Sequence, residues 1–224
     1  MKKVFLTFVC AFMALTASAQ RASSSSSSFF STESSDQPIT FSIRAGLNIA
    51  NMSMKNGNYS VSPDSRAGFN AGVAVVFPLM QSLYIQSGLY YTMKGCKAEI
   101  DGEKATFSPS YLEIPILASY RYNFSEAAQL QVNVGPYFAY GVGGKYKLEY
   151  KNRSREIDFF GSENDENSMG FKRFDMGLQL GTGVTIAKHY YVGVAYEFGF
   201  VSMSRDSDLK IKNSNFMINV GYQF

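Results

Sequence analysis

Eight stretches of this chain alternate apolar and polar residues with the period of two that a β-strand imposes. They lie between Ile39 and Phe224, and none of their apolar faces carries a charged residue. The stretches read ITFSIRAGLNI, AGFNAGVAVVF, LYIQSGLYYTMK, YLEIPILASYRYNF, LQVNVGPYFAYGV, RFDMGLQLGTGVTI, YYVGVAYEFGF and FMINVGYQF. Since side chains on a strand alternate between the two faces of a sheet, the chain must form a sheet with one wholly apolar face.

The composition of the two faces indicates which one points outward. The apolar face is large and aromatic, whereas the other is rich in glycine, as expected for a narrow interior. An outward apolar band around a polar interior is typical of a transmembrane barrel. The sequence therefore predicts an all-β fold, an eight-stranded antiparallel up-and-down transmembrane β-barrel. The alternative, an exported soluble lipocalin-like binder of small ligands, would turn the apolar face inward.

The lengths of the connections support the barrel, because long segments alternate with short ones. This alternation is typical of long extracellular loops and tight periplasmic turns, and it predicts an outer-membrane protein with both termini in the periplasm. Pro115 and Pro136 conflict with a regular sheet, since proline cannot donate to the ladder. Either each proline lies at a bulge, or the register around it is shifted by one residue.

The first residues are typical of exported proteins. MKK, an apolar run and ASA before Gln20 predict a signal peptide over residues 1–19. A serine-rich flexible periplasmic leader is expected over 20–38, followed by the barrel over 39–224. Cys96 is then the only cysteine of the mature chain, which excludes an internal disulfide. Lys+Arg 21 against Asp+Glu 18 gives no reason to expect a nucleic-acid partner.

Charged residues on the polar faces are expected to form a structural network in the lumen. Its predicted members are Arg44, Lys94, Glu113, Arg121, Arg173, Asp175 and Glu197. Lys94 and Glu113 lie near the upper ends of adjacent strands, and Arg44 and Glu197 reach similar depth, so we expect these two pairs. Arg121 has no acid at its level. Because side chains nearly fill an eight-stranded barrel, a polar plug is favoured over a path for ions.

No catalytic, cofactor-binding or metal-binding residues are predicted, and the chain is not expected to be an enzyme. The only histidine, His189, falls in a predicted periplasmic turn, away from the outer rim where lipid chemistry would need a base. GVGGKY lacks the first glycine and the Ser/Thr of a P-loop, and GSENDENS lacks the spacing of an EF-hand.

The longest predicted loop has a basic arm followed by an acidic arm. The basic residues are Lys145, Lys147, Lys151, Arg153 and Arg155. One interpretation is a self-complementary hairpin tip, in which the two arms pair with each other. The other is that the basic arm binds lipopolysaccharide phosphates or a partner protein.

YLEIPILASYRYNF, with GLNIA before it and GLQLGTGV after it, resembles the PorT-like outer-membrane β-barrel domain family of Bacteroidota. The resemblance covers residues 39–224 and implies a small outer-membrane barrel without defined site residues. Some relatives are linked to the assembly of a dedicated secretion system, and most have no assigned activity. We therefore expect a structural or interaction role in contact with outer-membrane lipid, including lipopolysaccharide, and with envelope or secretion-system proteins.

Overall fold

The computed structural model describes residues 38–56, 59–61, 63–100, 103–150, 153–161, 168–206 and 208–224. The predicted signal peptide, and the predicted leader up to residue 37, lie outside the described residues. The strands are β1 (Thr40–Asn56), β2 (Tyr59–Val61), β3 (Asp64–Pro78), β4 (Leu83–Met93), β5 (Cys96–Ile100), β6 (Glu103–Ser125), β7 (Ala128–Tyr150), β8 (Arg153–Phe160), β9 (Ser168–Phe171), β10 (Phe174–Ile186), β11 (Tyr190–Gly199) and β12 (Leu209–Gln223). Within these residues, no helix is long and apolar enough to cross a membrane.

Eight of the strands form a closed antiparallel ring. Following the pairings around it gives the order β1, β3, β4, β6, β7, β10, β11 and β12, after which β12 returns to β1. The closing pair runs in register from Ser42–Gln223 to Asn56–Leu209. The predicted all-β, eight-stranded barrel is confirmed, and closure leaves no free edge along the ring.

The two ends of the ring differ because the connections differ in length. Residues 79–82, 126–127 and 187–189 form the tight connections, and the amide of Phe224 donates to the carbonyl of Phe41 at the same end. The four short strands β2, β5, β8 and β9 belong to long connections at the opposite end. β6 and β7 have 23 residues each, well beyond the roughly 9–11 that cross a bilayer. Their paired upper halves therefore project beyond the apolar band.

Burial shows that the apolar faces point outward. On β11 exposed and buried residues alternate from Tyr190 to Phe198. On β1 the side chains of Phe41 and Leu47 are 59% and 68% exposed, whereas Ser42 and Asn48, the residues that follow them, are buried. A lipocalin-like binder would have the opposite orientation, so the soluble alternative is wrong. The glycine-rich polar faces line the interior, as the composition of the faces predicted.

The two prolines do not disturb the register. Pro115 is opposite Tyr137 and Pro136 is opposite Leu178, and the pairs on both sides of each proline continue the same register. Both expected alternatives, a bulge at the proline or a register shifted by one, are therefore wrong. The irregularities of the β6–β7 ladder lie elsewhere, at Ser110/Tyr111 and at Asn123/Ser125.

Candidate functional site: the lumen

One lysine lies at the centre of the upper lumen and contacts three carboxylates. Lys94 follows the last residue of β4 and is completely buried. Its Nζ lies 2.9 Å from Glu113 Oε2 on β6, 2.9 Å from Glu197 Oε2 on β11 and 3.7 Å from Asp175 Oδ2 on β10. Side chains from β6 and from the neighbouring strands β10 and β11 on the other side of the ring thus meet one ammonium group.

Neutral donors surround the carboxylates of this lysine-centred network. Asn213 Nδ2 donates to Asp175 Oδ2 at 2.8 Å, and the Tyr137 hydroxyl donates to the same oxygen at 3.3 Å. Asn215 Nδ2 donates to Glu197 Oε2 at 3.3 Å. The Tyr137 ring also faces the ammonium, with its centroid 4.2 Å from Lys94 Nζ. Charges are tolerated in an interior only when they are paired and hydrogen-bonded, and these contacts supply part of that stabilisation for Asp175, Glu197 and Lys94.

An aromatic plug closes the mouth of the ring above the network. It consists of buried apolar side chains that the long connections carry inward, namely Phe159, Phe160, Phe171 and Met203. Phe159 meets Phe160 edge to face, with ring centroids 4.9 Å apart. A Cβ atom at Gly141 would overlap the Phe160 ring, so only glycine at that position lets the ring lie against the wall. The plug separates the network from solvent on this side.

Two buried arginines form a lower layer toward the tight connections. Arg44 Nη2 donates to Gln86 Oε1 at 3.0 Å, and its guanidinium lies 4.1 Å from the centroid of the Tyr191 ring. Arg121 Nη1 is 3.4 Å from Gln129 Oε1, and its guanidinium lies 4.6 Å from the centroid of the Tyr84 ring. Cation–π contacts of this kind help to hold a buried guanidinium without a carboxylate.

A small cavity separates the two layers. Its volume is about 30 Å³, and Arg44, Glu113, Asn133 and Asn219 are among the residues that line it. A cavity of this size admits only one or two water molecules. From the mouth toward the tight connections, the described part of the lumen thus holds the plug, the network, this cavity and the arginine layer.

Of the two ion pairs expected in the lumen, the structure contains one. Lys94 and Glu113 are in contact, as hypothesised. The expected pair of Arg44 with Glu197 is wrong, because Glu197 contacts Lys94 and Arg44 contacts Gln86. Arg173 lies at the rim outside the network, where Nη1 donates to the carbonyl of Gly141 at 2.9 Å.

The basic arm of the longest connection lies against its acidic arm. The β7–β8 register places Lys147 opposite Glu156 and Lys145 opposite Asp158. Lys145 Nζ lies 3.0 Å from Glu156 Oε2, and this hydrogen bond raises the pKa of the lysine. Lys147 pairs with Glu149 and thereby lowers the pKa of that carboxyl. Arg155 is exposed opposite Leu148. Lys151 lies outside the described residues, as does the side chain of Arg153.

The histidine lies outside the lumen. His189 lies in the tight connection before β11, where its Nδ1 is 2.8 Å from the carbonyl oxygen of Gln223 and its ring stacks on Tyr222. Among the residues that the structure describes, no group of three or more His, Cys, Asp or Glu side chains is placed to hold a metal ion.

Cys96 at the start of β5 belongs to the same apolar core as the plug residues. Its side chain is completely buried, and burial raises the pKa of the thiol to about 12. Because the thiolate is the reactive form, we expect a soluble maleimide to leave Cys96 unlabelled in the folded protein at neutral pH. Mass spectrometry before and after boiling in detergent measures this. Labelling of the unboiled protein as fast as of the boiled protein would contradict the buried position.

Comparison with known proteins agrees with the fold. A family model described as "Outer membrane protein beta-barrel domain" matches residues 19–205. Among curated proteins, none matches the chain significantly.

Several solved structures are similar to this one at low identity. Ail, the attachment invasion locus protein of Yersinia pestis, solved in complex with the heparin analogue sucrose octasulfate, is 18% identical, with a TM-score of 0.41 over 84% of this chain and 100% of that one. Neisserial surface protein A is 11% identical, with a TM-score of 0.42 over 84% and 98%. OprG from Pseudomonas aeruginosa is 13% identical, with a TM-score of 0.44 over 83% and 95%. At these scores the likeness says nothing about ligands or activity.

Proposed function

The chain belongs to the outer membrane protein beta-barrel domain family, and from this we propose a structural or interaction role for it rather than a transport or catalytic one. The observation that supports the proposal is the burial of charged and aromatic side chains inside the ring. Lys94 and three carboxylates occupy the centre of the ring, and the aromatic plug closes the mouth above them. In this proposal the lumen is not an open channel, and the surfaces that meet other molecules are the lipid-facing band, the long connections and the tight turns.

The projecting sheet of the upper halves of β6 and β7, with β5 and β8, is the surface we propose for interaction. Its hairpin carries Lys145 and Lys147 on exposed positions, already paired with Glu156 and Glu149. We propose that lipopolysaccharide phosphates or an envelope or secretion-system protein contact this surface by competing for those lysines. Exposed ion pairs of this type are weak, so an incoming phosphate can exchange with the carboxylate.

The remaining features of the proposal concern export and family. We propose that residues 1–19 are removed as a signal peptide, that residues 20–38 form a periplasmic leader and that both termini are periplasmic. The PorT-like, Bacteroidota-type relationship and a link to secretion rest on the resemblance of the YLEIPILASYRYNF strand. No catalytic residue or cofactor is part of the proposed role.

Reconstitution of the full chain in planar lipid bilayers tests the absence of a channel. We expect no steady conductance above that of protein-free bilayers, because side chains fill the cross-section at the depth of Lys94. An open porin of known conductance, inserted in the same bilayers, serves as the control for reconstitution. A folded sample that migrates differently on boiling, yet conducts ions like the porin, would overturn the proposal.

A further inference from the structure

A cluster of three lysines lies on the outer face of the ring, toward the long connections. The β1–β12 register places Lys55 directly opposite Lys210, and Lys212 is two positions further along β12. The side chains of Lys55 and Lys210 are exposed, and that of Lys212 is half-buried. Their neighbours in the two strands, Met54 and Ile211, pack in the apolar core inside the ring. Because side chains alternate between the faces of a strand, all three lysines point outward.

The apolar band beneath this lysine cluster has the length of a membrane span. On β1 every outward position from Phe41 to Ile49 is apolar and exposed, a stretch of nine residues against the roughly 9–11 that cross a bilayer. On β12, Lys212 is four positions beyond the apolar Phe216, about 13 Å along the strand. The height above the band is smaller than this, because barrel strands are tilted, and a lysine side chain turns its ammonium group toward the interface. The cluster therefore lies at the level of the lipid headgroups.

No carboxylate is paired with these lysines in the part of the chain that the structure describes. None of the ion pairs found there within 4.0 Å includes Lys55, Lys210 or Lys212. The acids closest to Lys210 in the sequence are Asp206 and Asp208, which are exposed and lie before β12. Like charges that face each other across a ladder weaken the pairing of the strands. An anion from the surroundings that lies between the facing lysines removes this cost.

We propose that the lysine cluster binds the phosphate groups of lipopolysaccharide in the surrounding leaflet. The inference rests on the orientation proposed above, in which the long connections are extracellular, because lipopolysaccharide then surrounds this end of the band. Opposite residues of an antiparallel pair are about 5 Å apart and successive residues on one face about 7 Å, so the three flexible side chains reach one phosphate group. The acyl chains of the same molecule lie against the apolar band. Unlike Lys145 and Lys147, these lysines release no carboxylate when a phosphate binds.

Native mass spectrometry of the full chain in detergent, titrated with lipid A, tests the site. Lipid A is the phosphorylated lipid anchor of lipopolysaccharide, and lipid A from which both phosphate groups have been removed is the control ligand. We expect the phosphorylated form to bind about tenfold more tightly, because each lysine near an anionic headgroup adds its own attraction. Equal binding of the two forms would overturn the proposal, since the apolar band alone would then hold the lipid. Phosphatidylglycerol bound as tightly as lipid A would overturn the choice of lipopolysaccharide.

Charge-matched variants assign the binding to the lysine cluster. Lys55→Gln combined with Lys210→Gln should weaken lipid A binding by about tenfold. Lys172→Gln combined with Lys188→Gln removes two exposed lysines at other places and should leave the binding unchanged. Glutamine also removes the repulsion between the facing lysines, so the first variant should fold, and the gel shift between unboiled and boiled samples checks this. Unchanged binding in the folded first variant would overturn the assignment.

A third variant separates this site from the hairpin surface proposed above. Lys145→Gln combined with Lys147→Gln removes the same number of charges from that hairpin. If only this variant loses lipid A binding, the inference about the cluster is wrong and the hairpin is the phosphate site. If only the cluster variant loses it, the inference is supported, and lipid phosphate is not what the hairpin binds.

Discussion

Replacing Lys94 with methionine is expected to lower the free energy of unfolding by about 3–5 kcal/mol. Methionine fills nearly the same volume but leaves Glu113, Glu197 and Asp175 buried without a cation. Removal of one partner from a buried ion pair is costly mainly because the other charge stays unpaired. The loss is measured from denaturant unfolding in detergent, or from the temperature at which the unboiled band disappears on a gel.

Lys147→Met is the matched control, because it removes an exposed lysine that also contacts a carboxylate. An exposed ion pair contributes at most about 1 kcal/mol, so this variant should stay close to the unmodified protein. Combining Lys94→Met with Glu113→Gln should cost less than the sum of the two single changes, because the second removes a charge that the first leaves unpaired. Additive costs in this double variant would contradict a shared network.

The ring and its faces could be predicted from the sequence because period-two alternation depends on each strand alone. In the segment from Ile39 to Ile49, for example, the residue pattern shows which side of the strand is apolar without any information about the neighbouring strands. The pairing of Lys94 with Glu113 could also be hypothesised, since both lie near the upper ends of adjacent strands. Pro115 and Pro136 are also compatible with the predicted faces, although their positions in the middle of strands had suggested a bulge or a shift of register.

The contacts across the lumen could not be predicted, because they depend on how the strands are staggered around the ring. Glu197 and Asp175 contact Lys94 from strands that are far away in the chain. The depth of each residue in the barrel, when it was judged from its position along its own strand, suggested Arg44 as the partner of Glu197. The aromatic plug was missed for a different reason. Phe159, Phe160 and Phe171 fall in a connection without extended alternation, so the period that identified the strands does not show that a loop folds back into the mouth. Two adjacent phenylalanines in an otherwise charged loop are the one signal that could have suggested it.

The plug is expected to stabilise the upper end of the barrel independently of the charge network. Phe159 is completely buried and contacts Phe160, Phe171 and Phe107 through its ring. Phe159→Ala should therefore lower the free energy of unfolding by about 3–5 kcal/mol, the usual cost of removing a buried phenyl ring. Denaturant unfolding in detergent measures the loss. Phe124→Ala is the control, because that side chain is 56% exposed on the outer face and its removal leaves no internal cavity.

Labelling of Cys96 measures the local effect of Phe159→Ala, because Cys96 belongs to the same apolar core as Phe159. Loss of the ring should loosen this core, so we expect maleimide to label Cys96 in folded Phe159→Ala faster than in the unmodified protein or in Phe124→Ala. Conductance in planar bilayers should nevertheless stay at the level of the unmodified protein, because Lys94 and its carboxylates still fill the ring below. An open channel in Phe159→Ala would show that the plug alone closes the barrel. Slow labelling together with unchanged stability would show that Phe159 contributes little to the plug.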